Sequence, residues 1–259
     1  MTLTLLQYGL GAFSGGLVGF SLALVGGGGS ILAVPLMVYL VGVRDPHVAI
    51  GTSALAVGAN AAMGLSNHWR SGHVRGRIGL IFAAAGTAGA LAGSSAGKAF
   101  DGQRLLFLFA LLMIAVGALM LRQHRRGGGR ERRLDTATSI KLGGLGLGTG
   151  LVSGFFGIGG GFLIGPAIKS ATNMAMINAV GTSLVAVTAF GFATAFNYAL
   201  SGLIDWPLAA IFVAGGLIGS VAGTWAAKRL SARGHLTNVF AALIFLAAAY
   251  MLWRQWSHV

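Results

Sequence analysis

Charged residues are missing from this chain over stretches longer than a water-soluble fold can hide. Residues 2–43 contain no Asp, Glu, Lys or Arg, and the same holds for 48–69, 78–97, 105–121, 142–168, 170–204, 206–227 and 236–253. A hydrocarbon layer about 30 Å thick takes about 20 mostly apolar residues per helical crossing. Only 9% of the chain is charged, against about 25% in a soluble domain. Inside lipid every backbone N–H and C=O must be paired internally, which leaves helices or closed barrels. The alternating ten-residue pattern of a barrel strand is absent. The expected fold is an all-α polytopic membrane protein. The uncharged amino-terminal stretch lacks the basic start of a cleaved signal peptide, so it reads as the first membrane helix.

The chain also repeats itself. Val25-Gly-Gly-Gly-Gly-Ser-Ile-Leu-Ala-Val-Pro35 returns as Phe156-Gly-Ile-Gly-Gly-Gly-Phe-Leu-Ile-Gly-Pro166, and Gly51-Thr-Ser53 as Gly181-Thr-Ser183, at offsets of 131 and 130 residues. Asn67, Ser71-Gly72 and Lys98 match Asn197, Ser201-Gly202 and Lys228 in the same register. Several matches in one register indicate duplication. Each half reads as five helical segments with a glycine-broken first pair. These are 3–25, 30–42, 48–67, 78–97 and 105–121, then 142–156, 161–170, 176–198, 206–227 and 236–253. The organisation is a first membrane repeat (1–121), a basic linker (122–141) and a second membrane repeat (142–259). The second segment of each half is too short to span comfortably, so the first two together return the chain to one face. Three further crossings then make the halves an inverted repeat, an arrangement transporters use.

Eighteen Lys and Arg outnumber five acids. With the linker in the cytoplasm, fourteen basic residues fall inside and four outside, so the positive-inside rule places both termini outside. The basic run 122–133 is then a cytoplasmic loop in contact with membrane lipids, not a nucleic-acid surface. There is no cysteine, which excludes thiol catalysis, cysteine-ligated metals and a redox relay. No cofactor or metal is expected. All five acids fall in loops, so no buried carboxylate is available to couple a proton or sodium ion.

Glycine runs hold a helix poorly, and a break at membrane depth is tolerated only inside protein or beside a watery cavity. A helix starting after such a run offers unpaired N–H groups and about half a positive charge, a site for an anion made of backbone alone. The candidate substrate-binding residues are Gly27, Gly28, Gly29, Ser30, Gly159, Gly160 and Gly161, with the hydroxyls of Thr52, Ser53, Thr182 and Ser183. Asn60, Asn67, Asn178 and Asn197 are amides in apolar surroundings, where bridging between helices is the ordinary role. Two other readings compete with an anion transporter. Ser14-Gly15 and Ser153-Gly154 would suit an intramembrane serine hydrolase only with a base in reach, and a purely structural membrane subunit leaves the duplicated breaks without a purpose.

The glycine run with its apolar segment and proline, repeated beside Gly-Thr-Ser, resembles the TauE/SafE (sulfite exporter) family of membrane transporters from about Gly11 to Trp253. The resemblance implies a multi-pass permease of the plasma (inner) membrane, not an enzyme, for a small inorganic or organic sulfur anion such as sulfite or sulfoacetate. It maps the family's glycine motifs onto Gly26–Ser30 and Gly157–Gly161, with Gly51-Thr-Ser53 and Gly181-Thr-Ser183 as the accompanying polar positions. A homo-oligomer is compatible with it.

Overall fold

The computed structural model describes residues 4–123, 134–230 and 236–256, and these are helical with no strand among them. Half of the basic linker, residues 124–133, lies outside the described residues. Among the described residues ten helical elements follow in order: α1 (Leu5–Val25), a composite α2, α3 (Pro46–Arg70), α4 (Gly76–Ala99), α5 (Gly102–Gln123), α6 (Thr136–Phe156), α7 (Gly161–Thr172), α8 (Met176–Ala199), α9 (Trp206–Leu230) and α10 (Leu236–Trp256). The composite α2 winds as 3-10 helix over Gly26–Leu32, makes one α turn at Ala33–Pro35 and widens to π-helix over Leu36–Leu40. Among the described residues six helices, α1, α3, α4, α5, α8 and α9, contain stretches long and apolar enough to cross a membrane. Large apolar side chains face outward, with Ile218 76% and Leu246 71% exposed; in lipid that costs nothing.

The acids set the helix starts. Asp45 accepts the His47 N–H at 2.8 Å with Pro46 as first residue of α3. Asp101 accepts from Arg104 N (2.9 Å), Asp135 from Thr138 N (2.7 Å) and Asp205 from Leu208 N (3.0 Å), opening α5, α6 and α9. Such caps contribute about 1 kcal/mol each. The Asp135 cap explains why α6 begins at Thr136, inside what composition reads as linker.

The pairing of elements maps onto itself when the halves are exchanged. α1 packs on α9 as α6 packs on α4; α2 meets α7, α3 meets α8, and α5 meets α10. The α1–α9 and α4–α6 seams are made by glycines whose backbones touch. A Cβ on Gly15 or Gly19 would collide with the Phe212 or Gly216 carbonyl; one on Gly150 or Gly154 would collide with that of Gly86 or Ala90. Small residues at such seams let helices approach closely in lipid.

Hydrogen bonds at the ends show where the short segments go. Gln7 Nε2 donates to Val41 O at 3.0 Å, tying the start of α1 to the end of α2. Lys141 Nζ donates to Ser170 O at 3.2 Å, tying the start of α6 to the end of α7. Each first pair is therefore a hairpin with both ends at one face. At 1.5 Å per residue the 12 residues of α7 rise about 18 Å.

Candidate functional site

The second glycine run breaks the helix. Gly157, Gly159 and Gly160 have φ of 66°, 64° and 66°, a left-handed backbone that a side chain resists. Gly157 caps α6 and Gly160 precedes α7 without any side-chain cap. The Gly160 carbonyl takes the N–H groups of Leu163 and Ile164 (2.9 and 3.1 Å), so the N–H groups of Gly161 and Phe162 have no carbonyl within α7. All five residues Gly157–Gly161 are buried. A Cβ on Gly157 would strike Ile50 Cγ2, and one on Gly159 would stand 2.8 Å from Val57 Cγ1 and 3.3 Å from Val187 Cγ1. Val57 and Val187 are repeat equivalents, and α3 and α8 cross beside them, backbone on backbone, at Gly58 and Gly191. The hairpin tip thus lies deep in the bundle where the halves meet. The positive end of α7 points into this apolar setting, the electrostatics an anion would seek.

The first glycine run interrupts the α-helix by another means. Gly27 and Gly28 wind with Gly29 and Ser30 in the 3-10 stretch, so helical turns continue where sequence alone anticipates a fresh start near Ser30. Gly29 lies on α1; its Cβ would stand 2.6 Å from Ser21 C and 2.7 Å from Ser21 Cβ. Ser30 is fully buried. Pro35 lacks an N–H to donate, and the coil widens to π just after it.

The Gly-Thr-Ser motifs hold turns in place. Thr52 Oγ1 accepts the Asp205 N–H at 3.0 Å and Thr182 Oγ1 accepts the Arg75 N–H at 2.9 Å, at repeat-equivalent positions. Ser53 Oγ donates to Ile50 O at 3.0 Å and Ser183 Oγ to Val180 O at 2.8 Å. Gly51 admits the Leu203 carbonyl, and a Cβ on Gly181 would be 2.8 Å from the His73 carbonyl. Because α3 and α8 run antiparallel, the two motifs sit at opposite ends of the bundle and are not brought together. The first comes near the second glycine run, through Ile50 and Gly157.

Of the amides, Asn197 bridges helices as expected. Its Nδ2 donates to Ser94 Oγ at 2.6 Å and Ser95 Oγ at 2.9 Å, while Lys98 Nζ donates to Asn197 O (2.9 Å), Asn197 Oδ1 (2.9 Å) and Ser201 Oγ (2.8 Å). This cluster clamps α4 to α8. Between α3 and α9, beside Asn67, lies an open groove of about 470 Å³ lined by Met63, Ser66, Asn67, Leu217, Ile218, Ser220 and Val221. Asn60 makes no bridge at all; both its polar atoms are buried without a partner. Ser14 Oγ and Ser153 Oγ are likewise buried and unpaired, so neither serine has the hydrogen-bonded base that a nucleophile requires. A Cβ on Gly160 would be 2.9 Å from Ser153 Oγ, which places that hydroxyl at the break.

Comparison with known proteins gives a single answer. The sulfite exporter TauE/SafE family matches residues 11–251. A probable membrane transporter protein of Xylella fastidiosa (strain 9a5c) is 52% identical over 246 residues, covering 94% of each chain. The probable membrane transporter protein YdhB of Bacillus subtilis (strain 168) is 25% identical over 211 residues, 80% of this chain and 85% of its own. A probable membrane transporter protein of Methanocaldococcus jannaschii is 26% identical over 259 residues, 92% of each. No solved structure matches.

Proposed function

The chain belongs to the sulfite exporter TauE/SafE family of membrane transporters, and we propose that it carries a small sulfur oxyanion or organosulfonate, such as sulfite or sulfoacetate, across the plasma membrane. The observation that carries this reading is the buried left-handed break at Gly157–Gly160, which turns the uncapped start of α7 toward the crossing of α3 and α8. Backbone N–H groups there attract negative charge without introducing a cation that would hold the substrate too tightly. In this proposal Gly159, Gly160 and Gly161 donate to the anion, and Gly27, Gly28, Gly29 and Ser30 face it from the other hairpin. Ser53 and Thr52 flank the approach from the Ile50 side, and Thr182 and Ser183 that from the opposite end.

Both termini are assigned to the outside and the basic linker to the cytoplasm, which supplies a positive surface on the side from which an exporter collects anions. Reconstituted protein tests the reading. Proteoliposomes loaded with sulfite or sulfoacetate should lose it faster than empty-protein controls. No flux of either anion, in either direction, from protein that retains its fold would overturn it.

A further inference from the structure

Asn60 lies just past the midpoint of α3 with 8% of its surface exposed, and neither Nδ2 nor Oδ1 has a hydrogen-bond partner. The carboxamide faces α9. A side chain on Gly216 would collide with Nδ2, and its Cβ would stand 2.7 Å from Oδ1. Asn60 is also one helical turn from Val57, the residue against which Gly159 of the hairpin tip packs, so both look from one side of α3.

The duplication supplies an internal control. The repeat equivalent of Asn60 is Phe190, whose ring stacks on Phe82 at 6.3 Å and fills the notch at Gly86, the equivalent of Gly216. One notch is thus plugged with hydrocarbon, and its twin holds an amide. A buried donor and acceptor left unpaired is costly, and the twin shows that hydrocarbon fits the same geometry. The amide of Asn60 thus holds a buried donor and a buried acceptor without partners.

We infer that the Asn60 carboxamide is a ligand group for the transported anion, and that it favours an oxyanion carrying one proton. Nδ2–H donates to a charged oxygen of the ligand while Oδ1 accepts from its O–H. An oxyanion without a proton satisfies only the donor and sets its negative oxygens against Oδ1. Among the described residues every Asp lies at a helix start, so no described aspartate competes with the ligand for the amide of Asn60. The inference rests on the transport reading above and narrows its substrate class.

Full-length protein in detergent tests it by calorimetric titration with three anions at neutral pH. Sulfite is partly protonated there, whereas sulfate and methanesulfonate carry no proton. Wild type should bind sulfite at least tenfold more tightly than the other two, and Asn60→Leu should lose at least tenfold in sulfite affinity. Should the leucine variant fail to fold, Asn60→Ala must show the same loss. Sulfite affinity unchanged in the variants, or a wild type that prefers sulfate or methanesulfonate, overturns this inference while leaving transport intact. A wild type that binds none of the three overturns this inference, and the transport reading falls with it only if proteoliposomes move neither sulfite nor sulfoacetate.

Discussion

At the scale of single residues, polar groups in this membrane protein divide into those that fasten and those left unpaired. Thr52 and Thr182 fasten, receiving a backbone N–H from turns 153 and 107 positions away in the chain. Replacing either by Val keeps the shape and removes one hydrogen bond. Thr52→Val and Thr182→Val should each lower stability by about 1 kcal/mol, by similar amounts because the two sites are repeat equivalents. Denaturation in detergent measures both. Composition could say that such hydroxyls sit at helix starts, but their partners lie too far along the chain to be read from local spacing. The same holds for Asn197 and Asn60. Both are asparagines in apolar helices, yet Lys98 and the serines reach only one of them.

At the scale of elements, most boundaries were legible because lipid imposes a coarse rule: uncharged runs mark the helices, whereas the aspartate caps that open α3, α5, α6 and α9 emerge only in the structure. The glycine runs were legible as interruptions but not in kind, since glycine permits both the 3-10 winding of Gly26–Leu32 and the left-handed turn at Gly157–Gly160. Tertiary contacts decide between them, and the sequence does not contain those in readable form. The seams offer a cleaner test of how glycine is used. A Cβ on Gly150 would run into the Gly86 carbonyl across α4–α6, whereas Gly143 on the same helix has nothing within 4 Å. Gly150→Ala should therefore destabilise by about 1–3 kcal/mol through overpacking. Gly143→Ala should leave stability unchanged or raise it by up to about 1 kcal/mol through helix propensity. Thermal unfolding of the two variants side by side checks the contrast.

At the scale of the whole molecule, the antiparallel run of the equivalent helices α3 and α8 predicts opposite orientations for the halves. The chain has no cysteine, so single cysteines report unambiguously. Arg70→Cys and Leu200→Cys occupy equivalent exposed positions, and a membrane-impermeant maleimide should reach them from opposite faces. Labelling of both from one face would rule out inversion. The same pairing ties the halves together, since each first helix packs on a helix of the other half. Residues 1–123 expressed alone should be degraded, and co-expression with 134–259 should restore a stable protein detectable by co-purification.

The α1–α9 seam also has a bearing on biogenesis. Ala12 must wait for Gly215, the glycine that admits its carbonyl. At about 5–20 residues per second, the opening helix stands in the bilayer for roughly 10–40 s before its mate leaves the ribosome. During that interval its glycine-lined flank is open to whatever else the nascent membrane offers, so α1 is made well before α9 and is locked only when α9 arrives.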